Sequence, residues 1–155
     1  MSSPVLVLLA EDHLLVQMAV EVELGEAGYD LAVASSGVEA KGRIEAGADR
    51  IQALVTNVDL GKGPSGWDIA RRARELIADL PVVYITAGWG ADWPLRGVPN
   101  SILVPKPFRT GQIVAALSTL LHKHATAPAG QGSSVIKMGQ AIFQDSSSEK
   151  VILDA

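Results

Sequence analysis

Short apolar runs alternate five times with amphipathic helical stretches along this chain, and that alternation limits the folds open to it. The first run, Val5 to Ala10, is apolar at every position, which is typical of a strand buried on both faces. Strands that alternate with helices in this way form a parallel sheet with right-handed crossovers and helices on both faces. We therefore predict an α/β fold with a doubly wound parallel sheet.

The remaining elements follow from the same periodicities. The other strands are predicted at Tyr29–Ala34, Ile51–Thr56, Pro81–Thr86 and Ile102–Val104. The helices are predicted at about 13–27, from the capping residues Ser35 and Ser36 to Ala46, at Trp67–Ala78 and at Gln112–His124. Segment 87–99 contains three Gly and two Pro, so at most a short or distorted helix fits there. Trp89 and Trp93 within it are either partner contacts or lids over the core.

Composition narrows the classes of function. A length of 155 residues matches one domain, and 13 Lys and Arg against 17 Asp and Glu give a net charge of -4. That balance argues against nucleic acid or an anionic membrane as a partner. The absence of cysteine excludes a disulfide scaffold, a Cys zinc site and a thiol nucleophile, and it suits a reducing cytoplasm. We expect neither a signal peptide nor a membrane span.

The chain is predicted to divide into a folded domain at 1–124, a linker at 125–134 and a C-terminal arm at 135–155. Two apolar runs flank a polar turn in the arm, which favours a β-hairpin. The arm is expected to dock on its own sheet edge, on a second protomer or on a crystal neighbour. The first helix is apolar on more than one face, so we expect a homodimer through that helix, the arm or both.

Polar residues stand where the predicted strands end. In a doubly wound sheet, ligands bind at the carboxyl ends of the strands, near the point where the strand order reverses. Paired carboxylates with a third oxygen suit Mg²⁺, and a lysine and a hydroxyl opposite them suit the oxygens of a phosphoryl group. The residues at these ends are Glu11, Asp12, Asn57, Asp59, Thr86 and Lys106.

Four sequence motifs carry a resemblance to a known family. They are "LLAEDH", "ALVTNVDLGKGPSGWDIARRAREL", "LPVVYITAG" and "VPKPF". With these motifs, residues 4–124 resemble the receiver domain of two-component response regulators. The resemblance implies a flavodoxin-like five-stranded parallel sheet in the order 2-1-3-4-5. It also implies transfer of a phosphoryl group from a histidine kinase to an Asp at the end of the third strand.

The resemblance assigns roles to individual residues. Glu11 and Asp12 would hold Mg²⁺ together with the backbone carbonyl of Asp59. Thr86 would be the switch hydroxyl that contacts the phosphoryl group, and Lys106 would neutralise its charge. The peptide bond between Lys106 and Pro107 would be cis.

Three features depart from the family pattern. Residue 57 is Asn where the family has the phosphoacceptor Asp, and a neutral amide is a poor nucleophile and a weaker partner for Mg²⁺. This Asn is either natural or a substitution for a natural Asp, and Asp59 is disfavoured as a substitute acceptor because its turn should aim it elsewhere. Leu103 occupies the position of the switch aromatic, which puts the usual coupling in doubt. Segment 87–99 stands where the family has a regular helix.

The expected function is that of a stand-alone receiver in a histidine-kinase two-component or phosphorelay pathway, incompetent for phosphorylation at residue 57. The kinase would contact the first helix and the loops at the strand ends. The alternative is a phosphate-independent dimeric scaffold or a protein that titrates a kinase. An enzyme is not expected, because the first strand lacks the D-x-D of haloacid-dehalogenase-like phosphatases and ends in adjacent acids, Glu11 and Asp12.

Overall fold

Five parallel strands form the centre of the fold. The computed structural model describes residues 3–88, 92–109, 111–126, 137–138 and 141–144. The parallel strands are β1 (Leu6–Ala10), β2 (Asp30–Ala34), β3 (Ala53–Asn57), β4 (Val82–Thr86) and β5 (Ser101–Pro105). They pair in the order β2-β1-β3-β4-β5, which confirms the predicted flavodoxin-like sheet.

The helices connect the strands close to where the sequence predicts them. They are α1 (Leu14–Glu26), α2 (Gly37–Gly47), α3 (Gly66–Leu76), α4 (Trp93–Arg96) and α5 (Gln112–Thr126). Ser36 caps α2 by accepting a hydrogen bond from the Glu39 N–H at 3.1 Å. Gly28, after α1, has a φ of 97°, a conformation that glycine adopts without strain. No helix in the described ranges is long and apolar enough to cross a bilayer.

The core lies in two layers, one on each face of the sheet. Leu8 and Tyr84 face α2 and α3, whereas Val7 and Leu9 face α1 and α5. This alternation along β1 follows from the opposite directions of successive strand side chains. Because both faces are covered, polar chemistry is left to the loops at the carboxyl ends of the strands.

Segment 92–101 places a tryptophan over the core. Trp93 is buried, and its Nε1–H donates to Ser101 Oγ at 3.0 Å. The segment forms only the short α4, as its Gly and Pro content predicts. The lid interpretation is therefore confirmed for Trp93, and the partner-contact interpretation is wrong for it because the indole is inside the protein. Trp89 lies outside the described residues.

Two antiparallel strands extend the sheet beyond β5. They are β6 (Lys137–Met138) and β7 (Ala141–Gln144), and β7 pairs with β5 so that Leu103 is opposite Ile142. The arm thus contains paired strands at the chain's own sheet edge, where β5 would otherwise present unpaired backbone groups. Helix α5 continues to Thr126, past the predicted start of the linker. Residues 127–134 of that linker lie outside the described ranges.

Candidate functional site

The ends of β1 and β3 bring a side-chain amide against two acids. Ala10 pairs with Thr56, so the residues that follow each of them lie side by side at the edge of the sheet. Asn57 Nδ2 is 3.0 Å from Glu11 Oε2 and 3.1 Å from Asp12 Oδ1. The acidic pair and position 57 therefore meet in one pocket, as the strand-end pattern predicts.

The same amide nitrogen also faces the loop after β3. Asn57 Nδ2 donates to the backbone carbonyl oxygen of Asp59 at 2.8 Å. Three oxygens, those predicted to ligate a metal ion, thus surround one nitrogen. Because an amide has only two N–H groups, they are shared among the three acceptors.

Glu11 is the most deeply buried ionisable group of the pocket. Its side chain is fully buried, and Oε2 also accepts from the His13 N–H at 3.1 Å. Oε1 accepts no hydrogen bond from the described residues, but Lys106 Nζ lies 3.2 Å away from it. A carboxylate out of contact with water needs such a cation, since breaking a buried ion pair is strongly destabilising.

The ends of β4 and β5 supply the hydroxyl and the lysine. Thr86 is opposite Pro105, and the Lys106 N–H donates to the Thr86 carbonyl oxygen at 2.7 Å. Thr86 is nearly buried, and its Oγ1 accepts from the Gly88 N–H at 3.0 Å. The peptide bond between Lys106 and Pro107 is cis, as expected. The ends of β1, β3, β4 and β5, where the sequence predicts the polar residues, therefore all contribute to the same edge of the sheet.

Asp59 contributes its backbone and keeps its side chain in the turn. Its Oδ1 accepts from the Gly61 N–H at 3.0 Å, and the carboxylate is exposed to solvent. The turn thus directs this side chain away from the amide of Asn57. The expectation that the turn aims the Asp59 side chain elsewhere agrees with this contact, and its exclusion as a phosphoryl acceptor stays a prediction.

Leu103, predicted to occupy the position of the switch aromatic, is buried in β5 and is opposite Tyr84 in β4. The Tyr84 ring packs on Trp67 with 4.7 Å between the ring centroids. Burial raises the pKa of Tyr84 to about 12, although a hydrogen bond from Val98 opposes the shift. The aromatic ring next to Leu103 is therefore that of Tyr84 in β4, and it is fixed in the core.

Sequence reasoning missed two residues that shape the pocket. Gln17, on α1, is buried and donates from Nε2 to the Glu11 carbonyl oxygen at 2.9 Å. Gly66, at the start of α3, is so close to the end of β3 that an added Cβ would overlap the Asn57 carbonyl oxygen. A polar residue on the buried stripe of α1 was the available signal for Gln17. For Gly66, the sequence shows only a glycine at the end of a loop rich in turn formers, which does not reveal the close approach to β3.

The donor set fits Mg²⁺ in its chemistry but not in its present arrangement. Two carboxylates and a carbonyl oxygen are ligands of the kind Mg²⁺ prefers. Each of these oxygens instead accepts a hydrogen bond from Asn57 Nδ2, which stands where they converge. Within the part of the chain that the structure describes, no three His, Cys, Asp or Glu side chains form a metal cluster. A cation at this centre requires displacement of the amide.

Comparisons with known proteins point to one family. No protein-family model matches the sequence. The chain is 25% identical over 122 residues to the uncharacterized transcriptional regulatory protein YkoG of Bacillus subtilis (strain 168), covering 77% of this chain and 52% of that protein. It thus spans about half the length of this curated relative.

Solved structures give a closer match. A response regulator receiver protein from Sinorhizobium medicae WSM419 is 37% identical, with a TM-score of 0.74, over 77% of this chain and 95% of that chain. The receiver domain of a sensor histidine kinase from Pseudomonas aeruginosa PAO1, with magnesium coordinated in its active site cleft, is 21% identical, with a TM-score of 0.65, over 77% and 99%. The second likeness concerns the fold alone. The first extends over nearly the whole of a receiver protein, and this chain belongs to the response regulator receiver family of two-component signalling.

Proposed function

We propose that this receiver works with a histidine kinase but does not accept a phosphoryl group at residue 57. The observation that carries the proposal is the amide of Asn57, whose nitrogen lies 3.0 Å from Glu11 Oε2 in the place of the family's nucleophile. A carboxylate oxygen can attack phosphorus and form an acyl phosphate. An amide is neutral and its nitrogen lone pair is delocalised, so it cannot take that role.

The other polar groups of the pocket support the same assignment. Lys106 is positioned to neutralise phosphoryl oxygens and Thr86 to donate its hydroxyl to them, because both lie at adjacent strand ends. Lys106 is ion-paired with Glu11 Oε1 at 3.2 Å. Mg²⁺ binding by Glu11, Asp12 and the Asp59 carbonyl is weakened, since the residue that would add a negative charge is neutral.

The kinase-binding surface proposed is the exposed face of α1. Leu14, Leu15, Met18 and Val22 are all more than half exposed there. A groove of about 730 Å³ runs between this face and the start of α5, where Phe108 and Val114 line it. The face begins next to Glu11 and Asp12, so a kinase helix lying on it would bring its histidine towards the pocket. Exposed apolar patches of this kind mark interaction sites.

A homodimer through the same face is the second part of the proposal. The backbone pairing of β7 with β5 occupies the chain's own sheet edge, which favours α1 over the arm as the contact between copies. Removal of the residues after Thr126 tests the arm: an unchanged oligomeric state in sedimentation would exclude it from the interface.

The alternative function is a phosphate-independent scaffold that binds a kinase or a second copy and transfers nothing. The apolar face of α1 favours it as much as it favours a receiver. We propose a signalling role in the cytoplasm for either function, with no enzymatic turnover, nucleic acid or membrane partner. That the receiver acts without an output domain stays a prediction.

Phosphorylation of the wild-type chain and of Asn57→Asp separates these functions. Each protein is incubated with Mg²⁺ and acetyl phosphate, and the adduct is measured by intact mass and mapped by peptide analysis. In Asn57→Asp, a carboxylate oxygen forms a bond to phosphorus while the bond from phosphorus to the acetate oxygen breaks, so one phosphoryl group is expected. Asn100→Asp, the same change outside the pocket, is the control and should stay unmodified, like the wild type.

Two results would contradict the proposal. A covalent phosphate mapped to residue 57 of the wild-type chain would show that the amide does not silence the site. Failure of Asn57→Asp to accept the phosphoryl group while remaining folded would favour the scaffold.

A further inference from the structure

We propose that the Asn57 side-chain amide replaces a divalent cation in this pocket, so that the chain holds its acidic pair together without a bound metal ion. The inference deepens the proposed function and rests on the assignment of the pocket as a receiver site. It assigns to residue 57 a structural role that is distinct from the loss of a nucleophile.

Three oxygens converge on one amide nitrogen, whose two N–H groups carry partial positive charge. Asn57 Nδ2 lies 3.0 Å from Glu11 Oε2, 3.1 Å from Asp12 Oδ1 and 2.8 Å from the Asp59 carbonyl oxygen. Both carboxylates come from the loop that follows β1, whereas the carbonyl comes from the loop after β3. One nitrogen therefore ties together two segments that are far apart in sequence.

Electrostatics explains why the pocket needs such a group. Two carboxylates that face one point repel each other, and burial of Glu11 strengthens the repulsion. Lys106 compensates the charge of Glu11 only at Oε1, because its Nζ lies next to that oxygen. The other oxygen, Oε2, faces Asp12 across the amide, whose N–H groups carry the partial positive charge that this side requires.

The acceptors also fix which way the amide points. With its oxygen at the centre, the amide would add a fourth acceptor. Asp12 Oδ1 and the Asp59 carbonyl would then lose the donor that the amide supplies, and Glu11 Oε2 would keep only the His13 N–H. The Asn57 backbone is held independently, since its carbonyl oxygen accepts from Thr56 Oγ1 at 2.9 Å. The side chain is nearly buried, so water cannot easily replace the nitrogen.

An aspartate at residue 57 would reverse this arrangement. It offers no N–H, and it would place a third carboxylate among oxygens that already converge. Such a site needs a cation for its stability, as isolated buried charges do. The residue at 57 thus decides whether the pocket is stable alone or depends on a divalent ion.

Thermal unfolding with and without Mg²⁺ tests the inference. The wild type, Asn57→Asp and Gln17→Glu are melted in excess EDTA and in about 10 mM Mg²⁺, where bound metal would raise the Tm by linkage. We expect the wild-type Tm to be the same in both conditions. In EDTA, the Tm of Asn57→Asp should be at least ~5 °C below that of the wild type, and Mg²⁺ should raise it again.

Gln17→Glu is the matched control. It makes the same change from amide to acid beside the backbone of Glu11, but Gln17 donates to the Glu11 carbonyl oxygen and Ser35 Oγ, outside the set of converging oxygens. It should lose stability in both conditions without recovery in Mg²⁺. A Mg²⁺-dependent recovery of this variant equal to that of Asn57→Asp would overturn the inference.

Asn57→Ala covers the case in which Asn57→Asp does not fold. It removes the bridging nitrogen without adding a charge, so its Tm should fall in EDTA and rise in Mg²⁺. A wild-type Tm that rises in Mg²⁺ as much as that of either variant would overturn the inference. The inference would also be overturned if Asn57→Ala, or a folded Asn57→Asp, melted in EDTA at the same temperature as the wild type.

These melts use neither a kinase nor a phosphodonor, so their failure differs from that of the proposed function. If the wild-type Tm is unchanged by Mg²⁺ but Asn57→Asp accepts no phosphoryl group, only the proposed function is rejected. If Mg²⁺ raises the wild-type Tm and Asn57→Asp is phosphorylated, only the bridging role of the Asn57 amide is rejected.

Discussion

At the scale of single residues, Tyr84 shows how the neighbourhood of the pocket is fixed. Its hydroxyl oxygen accepts a hydrogen bond from the Val98 N–H at 3.0 Å, inside the core. Through this bond, β4 holds the segment that contains the short α4. The phenol therefore anchors that loop.

The Tyr84→Phe variant should be less stable by about 1–3 kcal/mol, because the buried Val98 N–H loses its acceptor. Urea denaturation measures the change. The Tyr29→Phe variant is the control, since the Tyr29 hydroxyl makes only an exposed contact with Ser118 Oγ at 3.1 Å, and it should differ from wild type by less than ~0.5 kcal/mol. Equal stability of the two variants would show that the anchor is unimportant.

Gly66 is the residue that lets α3 start against the end of β3. A Cβ at this position would overlap the backbone carbonyl of Asn57, so Gly66→Ala should cost about 1–3 kcal/mol. Gly42→Ala in α2 is the control because nothing lies within 4 Å of its added Cβ, and it should gain about 0.5–1 kcal/mol in helix stability. A Gly66→Ala protein as stable as the wild type would show that α3 and the end of β3 leave room for a Cβ at this position.

At the scale of elements, α3 begins with a reciprocal capping box. The Asp68 carboxylate accepts from the Ser65 N–H at 2.9 Å, and Ser65 Oγ accepts from the Asp68 N–H at 3.3 Å. The hydrogen bond from the Ser65 backbone is the main reason that the pKa of Asp68 is lowered, although burial partly opposes it. This cap fixes the end of the loop that carries Asp59, where α3 begins at Gly66.

The sign of the pKa shift gives a pH dependence. Because the pKa of Asp68 is lower in the folded state, its contribution is complete above the ordinary Asp pKa of about 4 and is lost as the pH falls through the folded value. In urea denaturation from pH 7 to pH 2, Asp68→Asn should show a shallower acid loss than wild type. Ser65→Ala should lose ~1 kcal/mol yet keep most of the pH dependence, because the backbone N–H remains. Identical pH profiles for Asp68→Asn and wild type would refute this role.

The elements also show what could and could not be predicted from the sequence. Hydrophobic periodicity located the five parallel strands and α1, α2, α3 and α5, and glycine and proline content limited α4 to one turn. The docking of the arm stayed open, because an edge strand offers the same backbone groups to its own chain and to a second copy. The three contacts of Asn57 Nδ2 depend on a side-chain rotation that only the assembled loops decide.

At the scale of the whole molecule, the exposed face of α1 is the surface that we propose for partners. The Leu15 side chain is 71% exposed, so a charge there should leave the fold intact. Leu15→Glu should abolish the proposed dimer in sedimentation velocity, since a desolvated carboxylate opposes association. Leu95→Glu, at a position 89% exposed elsewhere on the surface, should leave the dimer unchanged. A Leu15→Glu protein that still dimerises would place the interface on another face.

The most direct measurement is the side-chain amide spectrum of the protein, recorded by ¹H–¹⁵N NMR. The cross-peaks of Asn57 are assigned by their disappearance in Asn57→Asp. Because Nδ2 is buried and donates to Glu11, Asp12 and the Asp59 carbonyl, its protons should exchange slowly with water and should not shift when Mg²⁺ is added. Protons that exchange as fast as those of an exposed amide, or that shift with saturating Mg²⁺, would contradict an amide bound at the centre of the acidic pocket.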